Sequence, residues 1–168
     1  MGKFDTRRSG ARQVLGAVGL GLWAMSGAAR ADCAPGSVEL RTNGGSIIRF
    51  SVEIADDQSE RSTGLMLRDH MATSAGMLFV YEAPQHAFFW MKNTLIPLDM
   101  IFADGAGRVT RVHDMAIPQD ETSIDGGAGV RYVLEINGGL ARRMGLDAGA
   151  VMRAEVLDQT SAAWACDD

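Results

Sequence analysis

The densest run of side chains able to do chemistry is Phe88-Phe89-Trp90-Met91-Lys92-Asn93-Thr94-Leu95-Ile96-Pro97-Leu98-Asp99. Read as a strand, its first half puts Phe88, Trp90 and Lys92 on one face and Phe89, Met91 and Asn93 on the other. An indole with a cation beside it can stack on a flat ligand and hold an anionic group. Aromatics at strand spacing also fill cores, and a lysine stem can run along apolar surface to water. Phe89 and Met91 are assigned to the core, and Trp90 with Lys92 to a candidate ligand surface. Lys92, Asn93 and Thr94 are three successive polar residues hemmed in by apolar ones. Turned into a cleft with Asp99, they would orient a polar ligand.

Three further residues stand out. Arg61 and Arg68 are seven apart, so a helix would carry them on one face with Gly64 and Leu65. There they could clamp a carboxylate or phosphate, or simply pair with surface acids. Glu135 lies among Tyr132, Val133, Leu134 and Ile136 and faces the same way as Val133. It is either solvated, buried with a partner such as Arg61, or a general acid or base with a raised pKa. Asp99 and Glu135 are therefore the candidate catalytic carboxylates. His113-Asp114 could begin a metal site, but His70 and His86 stand at no ligand spacing, so no metal is expected. No G-x-S-x-G, phosphate-cradling glycine loop or cysteine with a partner histidine is present, and no cofactor is expected.

The elements that must position these residues are mostly short strands. Residues 37–43 alternate Val38 and Leu40 with polar positions. Asn43-Gly44-Gly45 signals a turn, and Ile48, Phe50, Val52 and Ile54 continue the period beyond it, predicting a hairpin. Asp56-Asp57-Gln58-Ser59 offers caps for a short helix over 60–67. Strands are predicted over 77–81, 87–91 after Pro84, 98–102, 108–113, 132–136 and 151–157, with a second helix over 138–144. Residues 117–129, with Pro118 and Gly126-Gly127-Ala128-Gly129, read as a long loop. Seven or eight short strands with two small helices predict an α+β, mainly β fold, a small antiparallel barrel or sandwich.

The amino terminus reads as a secretory leader. Lys3, Arg7, Arg8 and Arg12 precede an uncharged stretch over 14–29, and Ala29-Arg30-Ala31 has small residues where a signal peptidase cuts. The stretch is short of the roughly 20 residues a membrane span needs. Residues 1–31 are thus expected to be a cleavable signal peptide and 32–168 a single domain, periplasmic or secreted, with no stable membrane insertion after cleavage. Cleavage would leave 11 basic against 20 acidic side chains, a net charge near −9 where the whole chain carries −5. An acidic surface repels nucleic acid, which is not expected as a partner. Cys33 and Cys166 bracket the domain, and in an oxidising compartment an even pair reads as a disulfide.

The motifs Arg61-x-x-Gly64-Leu65-Met66-x-Arg68, Gly76-Met77-Leu78-Phe79, the run from Phe89 to Asp99, and Val133-Leu134-Glu135-Ile136 with Gly138-Gly139 carry a resemblance. Over about residues 48–156 the chain is similar to the prokaryotic family named domain of unknown function 192. The resemblance implies a small α+β domain dominated by strands, often behind a signal peptide, and it implies no reaction. Members usually have Gly-Asp before the last strand, whereas here Ala150 follows Gly149. The leading expectation is a binding module for a small polar or anionic ligand. Trp90 would be the stacking surface, Lys92, Asn93 and Thr94 the donors, and Arg61 or Arg68 the anchor. The rivals are an envelope hydrolase or lyase using Asp99 and Glu135, which requires both in one cleft, and a module that binds an envelope protein.

Overall fold

The computed structural model describes residues 1–2 and 33–168; the expected signal peptide and its cleavage site lie outside the described residues. Among the described residues there are seven strands: β1 (Ser37–Arg41), β2 (Ile47–Ala55), β3 (Ala75–Phe89), β4 (Leu98–Asp104), β5 (Val109–Ala116), β6 (Ile124–Asn137) and β7 (Val151–Arg153). Two short helices, α1 (Gln58–Thr63) and α2 (Leu140–Met144), complete the α+β, mainly β domain. One sheet holds all the strands in the order β5-β4-β6-β3-β2-β1-β7. Neighbours run antiparallel except β2 and β3, which are parallel. That parallel pair departs from the expected antiparallel sheet, because the chain between β2 and β3 crosses over through α1 instead of turning back directly.

The sheet curls until its edges meet. Arg108 bridges Val151, and the Met152 amide donates to the Gly107 carbonyl at 2.7 Å. Gly107 has φ +77°, and a Cβ there would stand 2.6 Å from the Met152 carbonyl oxygen, so this closure depends on glycine. Inside lie Val38, Leu40, Phe50, Leu78, Ile101, Val109, Leu134 and Met152, a core to which every strand contributes. Outside β3, β4 and β6 lies a second apolar layer, with Met77, Phe79, Met100, Phe102 and Val133 under Leu65, Met91 and Ile96. Strand β4 is therefore buried on both faces, which accounts for its nearly unbroken apolar sequence.

Several expected boundaries move. The two strands expected around Pro84 are one long β3, whose register against β6 shifts between Val80 and Gln85. Proline is tolerated there because the ladder is already interrupted. The glycine-rich stretch expected as loop belongs to β6: at Gly126 a Cβ would meet the Phe102 ring at 2.3 Å, so the aromatic lies flat on bare backbone. The first helix stops at Thr63, short of Leu67, because Gly64 turns away with φ +50° against the Phe79 ring. Its start is a capping box: the Asp57 carboxylate accepts from the Glu60 amide at 2.8 Å, and the Glu60 carboxylate accepts from the Asp57 amide at 3.3 Å. The last strand ends at Arg153. A Cys33–Cys166 disulfide ties the domain's ends across 133 positions. The chain-entropy treatment assigns a loop of that length about 4–5 kcal/mol.

Candidate functional site

Strand alternation decides where the two candidate carboxylates go. Cross-strand partners share a face, and Glu135 pairs with Met77 and Met100 while Asp99 pairs with Ile136. Glu135 thus faces the outer layer and Asp99 the barrel interior. They share no cleft, and the acid–base pair expected of them is not formed.

Asp99 is fully buried at the start of α2. Its Oδ1 accepts from the backbone amides of Met115 at 2.8 Å and Gly139 at 2.7 Å, and its Oδ2 from that of Ala141 at 2.7 Å. The first helical amides have no partners within the helix, and Gly139 supplies no side-chain cap, so a carboxylate from β4 fills that role. Asp99 is a structural cap.

Glu135 has the opposite surroundings. It is 4% exposed, and among the described residues no hydrogen bond reaches its carboxyl. Burial alone pushes its pKa up to about 8. Above it opens a cavity of about 240 Å³, with Phe79, Phe89 and Leu65 as apolar wall, Thr94 buried beside them, and Tyr81, Trp90 and Arg61 towards the rim. Phe79 and Phe89 meet edge to face, their centroids 5.2 Å apart. Tyr81, two and four residues beyond Phe79 and Met77 on β3, continues the same face. Its phenol is raised in pKa by burial and further by Glu135, while Arg61 and Gln85 pull it down. Arg61 sits with its guanidinium carbon 5.3 Å from the Tyr81 ring, and donates to the Val80 carbonyl at 2.9 Å and to the Asp56 carbonyl.

The expected segment divides. Trp90 borders the cavity and is 48% exposed. Lys92 lies on a turn, not a strand, and its ammonium stands 4.9 Å from the Trp90 ring, so the two are on one side. Asn93 takes φ +53° in that turn, and its carbonyl accepts from the Leu67 amide at 2.8 Å, locking the turn to the chain after α1. It supports the cavity wall without lining it. Thr94 is buried against the cavity, its hydroxyl donating to the Lys92 carbonyl at 3.3 Å. Arg68 does not join Arg61. Beyond the end of α1 its guanidinium binds both oxygens of Glu53 on β2, one at 2.6 Å, which lowers the Glu53 pKa despite some burial. The wall residues Phe79, Tyr81 and Phe89 were not expected at the site; the parity of β3 relative to Glu135 is the signal that finds Phe79 and Tyr81.

Among the described residues no three His, Cys, Asp or Glu side chains gather as metal ligands, and no helix is long and apolar enough to cross a membrane.

The family profile described as DUF192, Uncharacterized ACR, matches residues 38–154. The chain belongs to the DUF192 family. This family match covers the barrel strands and every residue of the cavity. The similar solved structures include two of known source. One, from Sinorhizobium meliloti 1021, is described as a candidate transcription regulator; it is 39% identical, with 73% of this chain and 95% of that one covered and a TM-score of 0.69. The other, a protein of unknown function from Novosphingobium aromaticivorans DSM 12444, is 38% identical, with 70% and 83% covered and a TM-score of 0.67. A comparison with curated proteins finds no match. The DUF192 domain of this chain thus comes with a shared fold and no assigned reaction.

Proposed function

We propose that this DUF192 domain is a binding module whose small polar ligand sits in the cavity over Glu135. One observation carries the reading: a carboxyl group 4% exposed, without a hydrogen-bond partner among the described residues, forms the floor of an aromatic-walled cavity. Its oxygens open onto the cavity, where a ligand can supply the hydrogen-bond partner that the fold does not. Trp90, with the Lys92 ammonium 4.9 Å from its ring, borders the entrance, and Arg61 is its charged edge. Asn93 and Arg68 serve the scaffold. The same reading places the domain outside the cytoplasm as a periplasmic or secreted protein, supported by the leader pattern of residues 1–31 and the Cys33–Cys166 bridge. The acidic balance of the chain argues against nucleic acid as its partner, whatever the role of the S. meliloti protein.

A second reading has its own observation. Leu67, Phe88, Trp90 and Leu95 are exposed by 43–76%, more apolar surface than a ligand cavity alone requires, and would suit an envelope protein.

A thermal-shift screen of the full chain against sugars, nucleotides, amino acids and other envelope metabolites tests the proposal, repeated with Trp90→Ala and Glu135→Gln. A compound that raises the melting temperature of the parent and of neither folded variant places binding in the cavity. A compound that stabilises all three equally puts its site elsewhere and defeats the proposal.

A further inference from the structure

Hydrogen-bonding capacity around the cavity is lopsided. The Thr94 hydroxyl spends its proton on the Lys92 carbonyl, and the Ser62 hydroxyl spends its own on the Gln58 carbonyl at 2.6 Å. Each therefore turns only lone pairs to the cavity. Glu135, which lines the cavity, is an acceptor only once ionised and has no hydrogen-bond partner among the described residues. The walls are the faces and edges of Phe79, Phe89 and Trp90, whose negative ring faces attract a cation and repel an anion. Against these acceptors stand one cation, the Arg61 guanidinium, and two neutral donors, the Tyr81 phenol and the Trp90 indole N–H. Arg61 also borders a neighbouring open depression with Gln58 and Gln85, so it lies at the rim. A plain cation would suit the floor and meet repulsion at Arg61; a plain anion would suit the rim and find acceptors below.

Resting on the binding reading above, we infer that the ligand is a small zwitterion carrying an ammonium and a carboxylate, of the α-amino-acid type, with its ammonium on Glu135 and Thr94 and its carboxylate towards Arg61. At about 240 Å³ the cavity is below the range that holds drug-sized molecules, which fits a ligand of a few to about ten heavy atoms. Binding has a proton balance. Below pH 8 the free Glu135 is largely the neutral acid. An ammonium ion arriving already protonated ionises it: the carboxyl O–H bond breaks, the proton leaves to solvent, and the carboxylate remains paired with the ammonium. Close to one proton is therefore released per ligand at pH 7. Affinity should rise about tenfold per pH unit up to about 8, level off above it, and fall again once the ligand's own ammonium loses its proton.

The test is a set of ¹H–¹⁵N titrations of the full chain at pH 7, following the Trp90 indole N–H. The probes are the proteinogenic α-amino acids, first pooled and then single, with alkylammonium salts, short carboxylates and short carboxamides as single-charge and uncharged controls. One or more amino acids should bind at least tenfold more tightly than any control. Calorimetry in two buffers of different ionisation enthalpy should show the proton release, and Glu135→Gln should abolish it and weaken binding at least tenfold. Thr94→Val, which removes an acceptor without touching the charge, should weaken binding several-fold and keep the proton release. A carboxylate or carboxamide that binds in the cavity in preference to every amino acid, without proton release, overturns the zwitterion and leaves the cavity-binding reading standing. If no amino acid and no control perturbs Trp90, both fall.

Discussion

Asp99 and Glu135 are buried carboxylates on adjacent strands, one residue out of step in register, and they have opposite fates. Asp99 is ringed by three backbone amides, from Met115, Gly139 and Ala141. Glu135 is ringed by Met77, Phe79, Met100 and Val133, with no donor among the described residues. The alternation of the sheet separates them: the same strands turn Asp99 towards the closed end of the barrel at α2 and Glu135 towards the open cavity. Burial by itself therefore says little about a carboxylate's role. What distinguishes scaffold from site is whether the fold itself satisfies the group.

Three experiments press on that contrast. The largest effect belongs to Asp99→Ala, which strands three amides, two of them buried, at roughly 1–3 kcal/mol for each buried one before relaxation. A loss of roughly 3–5 kcal/mol in urea denaturation is expected. A loss below about 1 kcal/mol would mean that Asp99 is not the cap. Glu135→Gln should act in the other direction. The native pKa of Glu135 is raised to about 8, above its ordinary 4.5, so the native state holds the proton more tightly than the unfolded chain. Its effect on stability is absent below about pH 4.5, and stability declines as pH rises through 8. The glutamine variant should therefore match the parent near pH 4 and exceed it at pH 9 by up to about 4 kcal/mol. Equal stability at both pH values would show that the carboxyl is solvated. The smallest effect belongs to Arg68→Ala. Its bidentate pair with Glu53 is partly exposed and should be worth about 0–1 kcal/mol, with no change in ligand binding. A loss of binding would return Arg68 to the site.

Much of this was legible in the sequence, and the failures have physical causes. The β1–β2 hairpin follows from Asn43-Gly44-Gly45 between alternating strands, and the Asp57 cap from residue types at fixed offsets. Glu135 could be singled out because a carboxylate inside an apolar strand requires an explanation. Its pairing with Asp99 could not be judged, because strand register decides which residues share a face and a single sequence does not state register. Arg68 was misplaced because helix spacing was carried past Gly64, where the positive φ ends the helix. Phe79 and Tyr81 follow from the parity of β3 once Glu135 is placed, whereas Phe89 is hidden because β3 bends through Pro84 and shifts register, so alternation cannot be counted across it. Gly126 read as loop because its neighbour across space, the Phe102 ring, is invisible in local sequence.

Glu135 is an acid 4% exposed, lining the cavity, with no hydrogen-bond partner among the described residues. A ¹³C-detected pH titration of the Glu135 carboxyl, assigned by loss of its signal in Glu135→Gln, measures this directly. The expected result is a pKa of about 8. A value near the ordinary 4.5 would place the carboxyl in water or beside a partner, and would contradict the site as described here.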